Sequence, residues 1–145
     1  MKRFEFPLDR VRRWRAQQAE IEELKLHQLR DRLAALGVQK LRLELDRATS
    51  ERAVLGQSSI EASEVQSLEA YRRHTGNKIR DIEVREQQCE EQIREQRQRV
   101  IEARQRAELL ERLRQKLWEE WREAAGREEE NLATELYLAK RRRGS

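Results

Sequence analysis

The side chains that most often carry out chemistry in proteins are sparse in this sequence. Its two histidines, His27 and His74, lie 47 residues apart, and neither belongs to a motif of metal ligands. The single cysteine, Cys89, excludes an intramolecular disulfide and a zinc site built from several cysteines. Cys89 falls on an apolar helical stripe, so we expect a small buried side chain rather than a reactive thiol.

Acidic residues are abundant but are not arranged for acid–base catalysis. They sit among arginines and lysines at helical spacing, where each ion pair stabilises a helix by about a few tenths of a kcal/mol. The sequence has no glycine-rich phosphate loop and no Ser-His-Asp arrangement. We therefore predict no catalytic residue, no cofactor-binding residue and no metal site, and we expect a protein that is not an enzyme.

Composition indicates which elements hold these side chains. Charged residues make up 41% of the 145 residues and apolar residues 37%, with one proline and five glycines, which is typical of long helices. Disorder is disfavoured because the charges are mixed in sign, the net charge is only +4 and the apolar residues recur periodically. No apolar run approaches the roughly 20 residues that cross a bilayer, and no secretory signal is visible, so we expect a soluble cytoplasmic protein.

The first predicted helix covers about residues 7–55. Pro7 suits its first turn, where the missing N–H costs nothing. Lys40 fills a gap in a stripe of leucines spaced by three and four, namely Leu26, Leu29, Leu33, Leu36 and Leu43. A second apolar strip is formed by Leu24, Leu41 and Leu45. The predicted turn covers about residues 56–59, where Gly56 could end the helix in a left-handed conformation and Ser58 or Ser59 could cap the next one.

The second predicted helix covers about residues 60–140 and carries the clearest pattern. Thirteen of the eighteen positions in alternating steps of three and four are apolar: Val65, Leu68, Arg72, Thr75, Ile79, Ile82, Glu86, Cys89, Ile93, Gln96, Val100, Ala103, Ala107, Leu110, Arg114, Leu117, Trp121 and Ala124. This period of 3.5 predicts a left-handed coiled coil. Its phase continues through residues 75–77, which favours one continuous helix. A kink within that helix at residues 75–77 is compatible with the pattern. A wide apex from Gly56 to Gly76 is the alternative.

The two helices together predict an all-α fold, a long two-helix antiparallel coiled-coil hairpin that forms a single domain over residues 1–145. Because the second helix is much longer, its C-terminal third would overhang or need a partner. A basic tail at 140–145 follows it. Trp121 lies on the core stripe, whereas Trp14, Trp118 and Tyr71 are either flanking residues or interface anchors.

Positive charge is concentrated near the two termini. Residues 1–15 and 137–145 each carry a net charge of +4, which leaves −4 for residues 16–136. An antiparallel hairpin brings both termini toward its open end, so we expect a basic patch there that attracts an acidic protein surface. Nucleic acid is disfavoured, because no continuous basic helix leads into a parallel zipper.

Three segments resemble a known family. They are Phe4-x-Phe6-x-Leu8-x-x-Val11 with the basic residues that follow to Arg15, the central Leu68-x-x-Tyr71, and the charged second helix ending in Leu132 to Arg143. Together with the length of the chain, they resemble the flagellar export protein FliJ family. Members of that family are antiparallel coiled coils similar to the central stalk of rotary ATP synthases.

The resemblance implies partners and the residues that contact them. Family members insert their open end into the ring of the export ATPase, contact the cytoplasmic domain of the export gate protein FlhA nearer the apex, and bind export chaperones. The ATPase end would use Arg10, Arg12, Arg13, Arg15, Lys140, Arg141, Arg142 and Arg143. The gate side would use Leu41, Leu45, Ala48, Tyr71, Thr75, Lys78 and Ile82.

The expected function is therefore a non-catalytic stalk or escort of the bacterial flagellar type III protein export apparatus. It would promote protein export, and hence flagellum biogenesis and motility. We expect a monomer that is cytoplasmic and peripheral to the inner face of the cell membrane through its partners. Two alternatives stay open: the equivalent stalk of a virulence type III secretion system, and a generic coiled-coil scaffold or dimer.

Overall fold

Two long helices form nearly all of the protein. The computed structural model describes residues 2–144, in which α1 (Asp9–Leu55) and α2 (Ala62–Arg143) are the only helices and there are no strands. The helices pack against each other in opposite directions, because contacts join Glu22 to Gln96 but Glu51 to Arg72. The predicted all-α antiparallel helical hairpin is confirmed.

The helix α1 begins two residues after Pro7, not at it. Pro7 and Leu8 form a turn in which the backbone N–H of Asp9 donates to the Phe6 carbonyl at 3.1 Å. The carboxylate of Asp9 then lies in the first helical turn, where the exposed N–H groups of the helix favour negative charge. Residues 2–8 are therefore a non-helical lead-in, which we call the N-terminal strap.

The turn between the helices covers residues 56–61 and differs in detail from the prediction. Gly56 is not left-handed, since no glycine in residues 2–144 has a positive φ. Its backbone N–H donates to the Arg52 carbonyl at 2.9 Å, and a Cβ at this position would lie only 2.8 Å from that oxygen. The close approach of the Arg52 carbonyl oxygen, and not a left-handed backbone conformation, therefore explains why residue 56 is glycine.

The start of α2 also lies later than expected. It begins at Ala62, and the carbonyl of Glu61 accepts the N–H groups of Glu64 and Val65 at 3.1 and 3.3 Å. Neither Ser58 nor Ser59 caps the helix, because both lie three or more residues before its first turn. From Ala62 the helix runs unbroken through Gly76, so the alternative of a wide apex between Gly56 and Gly76 is wrong.

The predicted core stripe of α2 is almost entirely covered. Sixteen of its eighteen positions are buried or half-buried, and only Val65 and Ala124 are exposed. At the C-terminal end Ala125 takes the place of Ala124 as a half-buried residue. In a coiled coil, a stripe that recurs every 3.5 residues stays on one side of its helix.

Each helix contributes to two compact units, which we describe separately. The hairpin unit comprises residues 21–100, and the terminal unit comprises 1–20 with 101–145. The hairpin unit has a continuous apolar core of Leu26, Leu36, Ile82, Cys89, Ile93 and Val100, against which Leu29, Leu33 and Leu43 pack. In the terminal unit the buried apolar side chains are fewer, and two of the three are alanines: they are Phe6, Ala19 and Ala103. Within residues 2–144 no helix combines the length and apolarity needed to span a bilayer.

Candidate protein-binding surfaces

The side chains that could take part in chemistry, Cys89 and His27, lie in different surroundings. Cys89 is 3% exposed, as predicted, and its thiol donates to the Leu29 carbonyl at 3.3 Å. His27 lies on an exposed face, 3.6 Å from Asp31 in the next helical turn. Among the described residues, no cluster of three or more histidine, cysteine or acidic side chains could hold a metal ion.

Polar residues that interrupt the α2 stripe are paired across the hairpin unit. Gln96 donates to both the backbone carbonyl and the carboxylate of Glu22, and this second bond lowers the pKa of Glu22. Lys40 lies 3.1 Å from Glu86, and this hydrogen bond raises the pKa of Lys40. The polar interruptions therefore fix which residues of the two helices face each other.

A third polar pair lies near the turn. Arg72 on α2 donates to Glu51 on α1 at 2.8 Å, and Arg47 donates to the same carboxylate from the preceding turn at 3.2 Å. Burial acts to raise the pKa of Glu51, but the hydrogen bonds from Arg47 and Arg72 outweigh it and lower that pKa. One carboxylate thus joins two arginines from different helices.

The predicted gate-side residues divide into three groups by their exposure. Leu41 and Leu45 are 54% and 58% exposed, and Lys78 is also exposed. Thr75 and Ile82, in contrast, are buried at 2% and 7% exposure, so they support this surface from beneath rather than forming it. The half-buried side chains are those of Ala48 and Tyr71.

Sequence reasoning missed one member of the exposed apolar strip. Val38 is 50% exposed and lies three residues before Leu41 and seven before Leu45, which puts all three on one side of α1. We call Val38, Leu41 and Leu45 the outer α1 strip. Its helical spacing was the signal that could have identified Val38. The same unit has a groove of about 400 Å³ lined by Gln39, Arg42, Leu43, Lys78, Asp81, Ile82 and Arg85.

In the terminal unit the strap is anchored to α2 by its aromatic residues. Phe6 is buried at 8% exposure, and the ring of Phe4 lies 5.9 Å from that of Trp121 at an angle of 52°. The indole N–H of Trp121 donates to the backbone carbonyl of Lys2 at 3.2 Å, and the guanidinium of Arg114 lies 5.9 Å from the Phe4 ring. The Phe-x-Phe motif thus covers the part of the α2 stripe that lies beyond the first residue of α1.

The arginines predicted for the ATPase end have different environments. Arg12 bridges Asp9 at 2.8 Å and Glu111 of α2 at 2.9 Å; the hydrogen bond to Glu111, followed by that to Asp9, raises the pKa of Arg12. Arg12 therefore holds the two helices together. Arg13 has a side chain that is 72% exposed, and it pairs with Asp9 at 2.9 Å. Arg10 is exposed, whereas Arg15 is half-buried over the ring of Trp14 at 4.7 Å.

A basic pocket lies beside the strap. Its volume is about 500 Å³, and it is lined by Arg3, Phe4, Glu5, Phe6, Asp9, Arg12, Arg13 and Arg114. Four of these residues are arginines and two are acidic, so the lining carries an excess of positive charge. The pKa of Asp9 is lowered chiefly by its hydrogen bond from Arg12.

The end of α2 is exposed to solvent. Every residue from 126 to 144 is exposed, including Lys140, Arg141, Arg142 and Arg143. We call residues 126–143 the C-terminal extension. It exposes apolar side chains that were not predicted as a surface, namely Leu132, Leu136, Tyr137 and Leu138 at 57%, 63%, 65% and 45% exposure. The core stripe continued in the same steps would have identified only Leu138, because Leu132, Leu136 and Tyr137 lie outside that register.

The two groups of basic residues do not form one patch. Arg12 lies beside Glu111, whereas Lys140 is 29 residues further along α2, or about 44 Å at the helical rise of 1.5 Å per residue. The overhang of α2 therefore spreads the predicted basic charge along the helix. The length of the extension separates a basic surface near the strap from a second one at the end of α2.

Comparison with known proteins adds no identification. No protein-family model matches the chain. Neither the curated proteins nor the solved structures include a significant match to it.

Proposed function

We propose that this protein is a non-catalytic stalk and escort of the bacterial flagellar type III protein export apparatus. In this function it binds the ring of the export ATPase with its terminal unit and the cytoplasmic domain of the export gate protein FlhA with its hairpin unit. It acts by changing the assembly or turnover of these partners. The family resemblance of the Phe4 to Arg15 segment supports the proposal, together with the helical hairpin.

The C-terminal extension is the observation on which the proposal chiefly rests. A helix that is exposed on every side and ends in four basic residues is suited to a narrow, acidic protein channel such as the centre of a ring. The basic pocket beside the strap offers a second contact, because its arginines can receive an acidic side chain of the same ring. Of the predicted ATPase-end residues, Arg10, Arg13 and the run from Lys140 to Arg143 are the exposed ones.

The outer α1 strip is the proposed contact with the gate. Three large apolar side chains at 50–58% exposure on one side of a helix are a surface that a partner can cover with a gain in free energy. Lys78 adds a positive charge to this region of the protein. Unloaded export chaperones are a third class of partner. Membrane association is indirect in this proposal, through the gate, and nucleic acid is not a partner.

The test is a binding and hydrolysis assay with the purified export ATPase. The chain is expected to bind the ring as a single copy and to raise the rate of ATP hydrolysis. The combined variant Arg10→Glu, Arg13→Glu, Lys140→Glu and Arg141→Glu should lose both effects while keeping the helical circular dichroism of the wild type. Arg12 is left unchanged, because Arg12→Glu would face Asp9 and Glu111 and disturb the fold.

A matched control reverses charge elsewhere. Arg30 and Arg32 are exposed on α1 of the hairpin unit, so Arg30→Glu with Arg32→Glu should leave ring binding unchanged. Leu41→Glu with Leu45→Glu should abolish binding to the isolated cytoplasmic domain of the gate and spare the ATPase. If the four-residue variant still stimulates the ATPase like the wild type, the proposed ring contact is wrong.

A further inference from the structure

We propose that the C-terminal extension is also a self-association surface, which pairs antiparallel with the same extension of a second copy of this chain. The extension has an uncovered apolar side. Its acidic residues precede its basic residues, so two antiparallel copies place opposite charges against each other. It is also already helical before it pairs.

The apolar side is displaced by one residue from the register of the core stripe, but it lies on the same side of α2 as the last covered residues. Leu132, Leu136 and Ala139 follow one another at spacings of four and three, and they lie on the side of α2 that carries Trp121 and Ala125 further back. Trp121 packs against the strap, and Ala125 is the last half-buried residue. Beyond Ala125 this side of α2 has no covering segment within residues 2–144, and both leucines are more than half exposed.

The charges of the extension are segregated. An acidic run, Glu128, Glu129 and Glu130, is followed by nine residues of which only Glu135 is charged, and then by the basic run from Lys140 to Arg143. None of the three glutamates in the acidic run forms an ion pair among the described residues. A parallel partner would place acidic run against acidic run, whereas an antiparallel partner places each acidic run against a basic one.

One antiparallel alignment satisfies the apolar side and the charges together. When Leu132 of one copy lies opposite Leu136 of the other, the twofold symmetry also places Leu136 opposite Leu132. The same alignment puts Glu128 opposite Lys140, with Glu129 within one turn of Arg143 and Glu130 within one turn of Arg141. The contacts occur twice, once at each end of the pair, so all six glutamates of the two acidic runs acquire a basic neighbour.

The cost of ordering this surface is low. An isolated helix of 18 residues is only marginally stable in water, because the first helical turn is unfavourable to form. Here the extension is the last part of α2, whose preceding turns already pack against α1 and the strap. Two leucines per copy form a small apolar contact, so we expect a weak dimer, with a dissociation constant on the order of micromolar, that weakens as salt is added.

A second copy fits the extension better than an anionic lipid surface does. The basic run alone would suit such a surface, but Glu135 lies among the apolar residues and the acidic run lies one to two turns before them. A lipid surface would leave these four carboxylates unpaired and repelled, whereas the antiparallel copy neutralises the acidic run. Pairing would also cover the basic run proposed to enter the ATPase ring, so the dimer would be the unbound form of the chain.

The experiment measures self-association of the purified full chain and needs no other protein. In sedimentation velocity between about 1 and 100 µM, the wild type should shift from monomer to dimer. The acid-reversed variant Glu128→Lys, Glu129→Lys and Glu130→Lys should dimerise at least about tenfold more weakly, because six favourable contacts become repulsive. The base-reversed variant Lys140→Glu, Arg141→Glu and Arg143→Glu should be weakened equally.

Mixing the two reversed variants is the decisive step. Each is expected to associate only weakly alone, whereas an equimolar mixture should form a heterodimer at lower concentration, because the acidic extension of one then faces the basic extension of the other. Leu132→Glu with Leu136→Glu should abolish association. The control Leu41→Glu with Leu45→Glu introduces the same charges on the outer α1 strip and should dimerise like the wild type.

Several results would overturn the proposal. They are a wild type that remains monomeric over the whole range, reversed variants that associate as well alone as together, and a control that fails like the Leu132 and Leu136 variant. Retention on vesicles of anionic lipid by a chain that stays monomeric would also refute it and assign the extension to a membrane. Because no ATPase is present, failure here leaves the ring-binding proposal to its own assay.

Discussion

The hairpin unit and the terminal unit use the same α2 stripe in different ways. In the hairpin unit a second helix covers the stripe, and leucines, isoleucines and paired polar residues fill the interface. The terminal unit covers it first with alanines, then with the aromatic residues of a short strap, and finally not at all. One repeating pattern therefore serves both a stable core and an exposed surface, and what covers the stripe decides which of these it becomes.

The largest expected effect separates the two uses of the stripe. Ile93→Ala in the hairpin unit, at 5% exposure, should lower the free energy of unfolding by about 2–4 kcal/mol, because it leaves a cavity in the core. Leu136→Ala in the extension should change it by less than about 0.5 kcal/mol at dilute, monomeric concentration. Urea titration followed by circular dichroism measures both. Equal losses would contradict the distinction between core and free stripe.

The strap should make a smaller, local contribution. Phe6→Ala removes the most buried side chain of the strap and should cost about 1–3 kcal/mol, less than a central core residue because the strap can detach while the helices stay paired. Hydrogen exchange should increase in residues 9–15 and 111–121 but not in residues 79–96. Leu8→Ala, at 41% exposure, is the matched control and should leave exchange unchanged.

Acid should weaken both units, since each contains a carboxylate with a lowered pKa. Asp9 lies in the terminal unit, and Glu22 and Glu51 in the hairpin unit. A carboxyl group whose pKa is lower in the folded state stabilises the fold above its unfolded pKa, and that contribution is lost as the pH falls through the folded pKa. The melting temperature should therefore be level near neutrality and fall below about pH 4.5.

Replacing Glu22 and Glu51 by Gln tests the origin of the acid effect. The double variant should be less stable than the wild type at pH 7, and its melting temperature should depend less on pH in the acid range. An identical acid profile in the two proteins would show that other groups cause the loss.

The smallest expected change in the free energy of unfolding comes from replacing either of two glycines of the hairpin unit. Gly76 lies inside α2, and a Cβ there would meet nothing closer than an Arg80 guanidinium nitrogen at 3.7 Å. Gly76→Ala should therefore raise the free energy of unfolding by about 0.5–1 kcal/mol, as alanine favours the helix. Gly56→Ala should destabilise instead, because its Cβ would lie 2.8 Å from the Arg52 carbonyl oxygen. Thermal melts of both variants against the wild type measure the difference in sign.

The periodic parts of the fold were predictable, and the aperiodic parts were not. The stripe of α2 was placed correctly at all but its two end positions, because covering it required only a second helix. Gly56 was assigned a left-handed conformation because glycine often ends helices that way, but its actual constraint, the nearby Arg52 carbonyl, depends on the path of the turn. Thr75 and Ile82 were predicted at a partner contact, although the stripe that contains them already indicated burial.

The sequence by itself determined two long helices, their antiparallel pairing, the unbroken core stripe and the absence of a recognisable catalytic motif, because these depend on spacing along one helix and on residue types. Only the tertiary structure decided that Arg12 is an interhelical bridge and that the strap covers Trp121. These features depend on how far one helix is shifted along the other. The sequence does not define this stagger, because the same apolar spacing repeats along the helices and several shifts match it. The stagger in turn decides where the stripe of α2 is covered and where it is left exposed.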